Sequence, residues 1–182
     1  MEKACARALI DEGCVIIAQH TDTIGPAMAC EEAVAAGRTV IHVGYNQSMV
    51  DIAPSTSLVS TRVDWVPYVT GAVEALLEGH EIEKNVPGNA FGNDMCAGFD
   101  QGWVELTELN RQLAPYGAQE KLNKAIDALR RGTLEVFKGD YVGVNPDDPN
   151  DTVDLRQGYR ENAASSWPTF HYLLKDVVTV EG

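Results

Sequence analysis

Short runs of apolar residues alternate along the first eighty positions with longer stretches in which apolar groups recur every three or four residues. KACARALIDE, residues 3–12, carries helical spacing and stops at Gly13, the residue best able to take a left-handed helix end. The run 14–18 that follows is almost wholly apolar and predicts a buried strand. Gly25-Pro26 opens a second helix that Gly37 closes, and TVIHV, 39–43, is the next strand. After Pro54, SLVSTRV at 57–63 predicts a third strand, leading to Asp64 and Trp65 at the mouth of a helix that ends near Gly79. Strands alternating with helices of about a dozen residues predict βαβ units and a parallel sheet, hence an α/β fold.

Beyond Gly79 the regularity weakens. GWVELTEL predicts a short strand with Val104, Leu106 and Leu109 inward. AQEKLNKAIDALRRG is an amphipathic helix with Leu122, Ala125, Ile126 and Leu129 on one stripe. TLEVF and DYVGV read as a pair of short strands, and NPDDPNDTVD, 145–154, as an acidic turn-rich loop without calcium-loop spacing. A helix over 169–175 and a strand VVTV complete the prediction.

Composition narrows the class. With 182 residues, 45% hydrophobic and 23% charged, the chain can bury a core, and no apolar run is long enough to cross a bilayer. Its N-terminus has no signal-peptide pattern. Fourteen Lys and Arg against 27 Asp and Glu give a net charge of -13, which opposes a nucleic-acid partner. Cys5, Cys14, Cys30 and Cys96 show no metal or redox spacing, and the first three lie in apolar elements as reduced packing cysteines.

The chemistry gathers where strands end. In a parallel sheet ligands sit beyond the carboxyl ends of the strands, and the first strand ends on His20, Thr21 and Asp22. His20 and Asp22, two apart in an extended segment, point the same way and could serve as a metal pair or an acid–base pair; the alternative is a polar tie for the loop before Pro26. The second strand runs into Gly44, Tyr45 and Asn46, a ring for stacking beside an amide that both donates and accepts, or simply a tight turn. Trp65 is either a stacking ring or a helix anchor. His42 reads as a core histidine, His80 and His171 as surface or packing residues. There is no GxSxG, no P-loop and no GxGxxG after a strand, so the pattern favours binding over catalysis, with no cofactor.

Taken together, DEGCVIIAQHTD, GYNQSM with Ala53-Pro54, LVSTRVDWVPY, the LEG at 77–79 and GTLEVFKGDY resemble the basic membrane protein family, the substrate-binding lipoproteins of certain ABC importers. The resemblance runs from about residue 3 to residue 178. It implies a three-layer parallel-sheet lobe of a type I periplasmic-binding-protein fold and a small polar ligand, often a purine nucleoside or nucleobase. The ligand would lie in a cleft faced by His20, Thr21, Asp22, Tyr45, Asn46 and Trp65 and pass to an ABC permease outside the cytoplasm. Ser48 stands where many relatives are acidic, and the Asp near Asn46 and the Lys near Val63 of the nucleoside binders are absent.

The family's N-terminal half has no counterpart here, which implies a C-terminal portion: βα units of the second lobe over 1–79, and lobe-crossing strands with terminal helices over 80–182. The expectation is a fragment that binds ligand poorly alone, with strand 14–18 an unpaired edge that seeks the missing half or a second copy. Two rival classes remain: the sensor domain of a cytoplasmic regulator, and a small α/β hydrolase using His20 and Asp22.

Overall fold

Helix α1 (Glu2–Asp11) is followed by β1 (Ile16–Ala18), α2 (Gly25–Ala35), β2 (Ile41–Tyr45), β3 (Ser57–Val63) and α3 (Val66–Glu78). Then come β4 (Asn89–Phe91), β5 (Asp94–Cys96), β6 (Val104–Leu106), α4 (Ala118–Arg130), β7 (Val142–Asn145), β8 (Asp148–Asp154) and β9 (Leu173–Leu174). This computed structural model describes residues 1–82, 86, 89–91, 94–161 and 167–180. Among them the chain divides into one unit of residues 1–64, 104–123 and 179–180, and another made of the described residues between 65 and 103 and between 124 and 178.

The first unit is built on a four-stranded sheet in the order β1-β2-β3-β6, the first three parallel and β6 antiparallel to β3. α1 ends in a Schellman motif, with Gly13 at φ 96°, Cys14 N–H bonding the Leu9 carbonyl and Gly13 N–H that of Ile10. One face of the sheet is covered, Ile17 packing with Ala6 and Ile10 of α1, Ala29 and Cys30 of α2, and Val40. Lys3 and Arg7 both reach Glu32, tying α1 to α2 across the surface. Burial beside the charge of Glu31 pushes the Cys30 thiol up to about 11, so it stays protonated and packs as an apolar group. All four cysteines are free, and Cys14, expected in an apolar element, is exposed: the ladder begins only at Ile16, leaving Cys14 in the turn after α1 and outside any packed element.

In the second unit α3 closes on Gly79 in the left-handed conformation, and Tyr68 meets Trp103 edge-on at 5.7 Å. α4 begins in the first unit and ends in the second, and its Leu122, Ala125, Ile126 and Leu129 are half-buried, as their spacing predicts. Here the structure corrects four expectations. TLEVF is not a strand; Phe137 instead stacks on Phe170 at 4.5 Å and meets Tyr159 edge-on. The acidic segment 145–154 is not a loop but the β7–β8 hairpin, its turn made when Asn145 and Asp148 accept the amides of Asp147 and Asn150. Pro149 falls where the register shifts, so its missing N–H breaks no regular ladder.

No helix forms over 169–175: Phe170 and Tyr172 pack with Tyr159, and only Leu173–Leu174 is a strand, β9, paired with β7. Residues 177–180 form no strand, and Val177 and Val178 are exposed.

Candidate ligand-binding site

The first unit's strand ends bring five of the six candidate residues into one region. The β1–β2 pairing continues one residue past β1, where Gln19 N–H bonds the Val43 carbonyl, so His20 leaves the sheet beside the end of β2. β2 runs two residues further than its apolar run predicts, because Gly44 and Tyr45 pair with Ser60 and Thr61. Tyr45 is therefore a strand residue, and its ring meets that of His20 with centroids 4.1 Å apart and planes at 44°. Gly44 is what lets the strand continue: a Cβ there would overlap Ser60 Oγ and crowd Met49.

Asn46 follows at φ 67°, a left-handed conformation that Asn tolerates better than most residues, and its N–H bonds the Thr61 carbonyl at 2.6 Å. This reverses the chain directly after Tyr45 and leaves Asn46 exposed. The His20–Thr23 loop is pinned from α1: Glu2 accepts the amides of Asp22 at 3.3 Å and Thr23 at 3.1 Å, and the Thr23 hydroxyl as well. The Thr23 hydroxyl, with help from both amides, holds the Glu2 carboxyl below its usual range. The polar tie weighed for this loop is thus made by the Thr23 side chain, while Asp22 contributes its backbone and keeps its carboxylate exposed.

A second tie, missed in the sequence, comes from Gln19. It is 8% exposed and donates through Nε2 to the carbonyls of Thr23 at 3.2 Å and Thr21 at 3.5 Å. Its Oε1 lies 2.8 Å from His42 Nε2, which sets that nitrogen as the proton-bearing one. His42 is fully buried, and desolvation pushes its ring down to about 4, so it is neutral near pH 7. The available signal was two polar residues at inward-facing positions of neighbouring apolar strands, since Ile17 pairs with His42 and Gln19 shares Ile17's face. A cavity of about 260 Å³ opens on the α1 side of this corner, lined by Cys5, Leu9, Ile17, Gln19 and His20 among others.

Trp65 belongs to the second unit, where it precedes α3 with 61% of its surface exposed. Among the described residues no group of three His, Cys, Asp or Glu side chains comes together as a metal site.

No family model matches the chain. Over 138 residues it is 34% identical to a purine-binding protein of Brucella abortus, a match covering 76% of this chain and 35% of that protein. The chain thus spans about a third of the length of that relative. Among solved structures, a solute-binding protein of an ABC transporter from Conexibacter woesei superposes with a TM-score of 0.50 at 18% identity, over 74% of this chain and 41% of its own. A transcriptional activator of the comK gene from Bacillus halodurans gives 0.49 at 21% identity, over 69% and 40%, a level that weighs for neither class. The likeness is one of fold: mixed α/β, with a largely parallel sheet in the first unit, matching part of that solute-binding protein. The chain is thus similar in sequence to part of a purine-binding protein and in fold to part of a solute-binding protein.

Proposed function

We propose that this chain is the ligand-gripping part of a solute receptor of the basic membrane protein type, which binds a purine nucleobase or nucleoside outside the cytoplasm and hands it unchanged to an ABC permease. The observation that carries this reading is the contact of His20 with Tyr45 at adjacent strand ends, with Asn46 exposed beside them. A flat heterocycle stacks on Tyr45 while His20 braces that ring. Asn46 offers the donor and acceptor that a purine edge requires, and the exposed Asp22 carboxylate accepts from its remaining donors. The likeness to a purine-binding protein favours a purine over other flat metabolites. No nucleophile is needed, because the ligand leaves as it arrived.

A thermal-shift screen of purine bases, pyrimidine bases, their nucleosides and a control set of sugars and amino acids tests the reading, because a selective ligand raises the melting temperature by mass action. Because the chain alone is expected to bind weakly, the screen is run at millimolar ligand, where purines are expected to raise it modestly and nucleosides in parallel with their bases. A response to sugars or amino acids alone would overturn the assignment.

A further inference from the structure

We infer that Gln19 and His42 are positioning residues for this site: His42 holds the Gln19 amide from the core side so that its other end sets the His20–Thr23 loop against Tyr45. The effect on affinity rests on the ligand reading above; the effect on the loop does not.

The amide can be oriented in only one way. Carbonyl oxygens of Thr21 and Thr23 accept but never donate, so Gln19 must present its NH₂ to them and its oxygen to His42. His42 Nε2 must then carry the proton, and a neutral ring supplies one donor and no more. The chain of bonds runs from the buried face of β2, through Gln19, to the loop whose His20 ring lies 4.1 Å from Tyr45.

As a core element this pair is a poor choice. Burying an amide and an imidazole costs free energy that an apolar pair of the same size would not, and His42 Nδ1 is buried with no hydrogen-bond partner among the described residues. What the pair contributes that apolar residues could not is a directed grip on two loop carbonyls. Glu2 holds the same loop by its amides from the α1 side, so the segment is fixed at donors and acceptors alike.

The test uses Gln19→Met and the double variant Gln19→Met/His42→Leu, the second removing both buried side-chain partners so that neither is left stranded by loss of the other. Amide hydrogen exchange is followed along the chain, and purine affinity is read from adenine-induced NMR shifts. In the double variant, exchange at residues 20–23 is expected to quicken while α1 and α2 keep their protection, and the His20–Tyr45 ring contacts to weaken. Adenine should bind about tenfold more weakly, the loss of roughly one hydrogen bond's worth of loop order. A folded double variant with unchanged loop exchange would overturn the inference. If the unmodified protein shows no adenine response, the ligand reading fails, and the exchange pattern alone still decides whether Gln19 positions the loop.

Discussion

At the scale of single residues the site depends on one glycine and two polar side chains placed by it. Gly44 lets β2 reach Tyr45 because Ser60 and Met49 occupy the space a Cβ would need. Gly44→Ala must displace two buried neighbours, so it is expected to cost about 1–3 kcal/mol of stability, measured by urea unfolding. Tyr45→Ala acts differently. The ring is half-buried at a strand end, so purine-induced stabilisation should disappear while the protein remains folded; retention of that stabilisation would exclude Tyr45 as the stacking ring. Both positions stand out in the sequence as the end of an apolar run. What could not be read there is that Tyr45 still belongs to the strand, since its pairing is with Thr61, sixteen positions away.

Elements explain which expectations held. β3 spans the predicted residues, Ser57–Val63, because its apolar and β-branched run is bounded by turn residues on one side and Asp64 on the other. The C-terminal segments were misread because their order comes from aromatic packing and Asx turns, which local periodicity does not record. Gln19 was missed for a related reason: a polar residue closing an apolar run reads as the start of a loop, although its inward face requires a partner.

That partner gives an element-level prediction. His42 has a folded pKa depressed to about 4 from an ordinary 6.5, so between these values the unfolded chain binds the extra proton. Stability should be full above about pH 6.5 and decline as pH falls toward 4; in Gln19→Met/His42→Leu that part of the slope should vanish. Denaturation curves at several pH values read this directly. Glu2 adds a local effect in the same direction, since protonating it on acidification loosens its hold on Thr23.

For the whole molecule, the sheet's edge and its charge oppose one another. Among the described residues β1 pairs only with β2, and Val15 and Ile16 beside that edge are 58% and 63% exposed. Open apolar edges favour strand-to-strand association, whereas a net charge of -13 resists it. Sedimentation velocity is therefore expected to show self-association that strengthens with added salt, as the repulsion is screened, and that Ile16→Lys suppresses. Association unaffected by that substitution would place the contact elsewhere.

The proposed binding mode stacks a purine on Tyr45 at the paired ends of β1 and β2. Intermolecular NOEs between adenine and the protein test it most directly, because they identify the side chains that touch the ring. NOEs are expected from the adenine H2 and H8 protons to the Tyr45 ring and to Asn46. Adenine contacts confined to residues remote from these strand ends would contradict it.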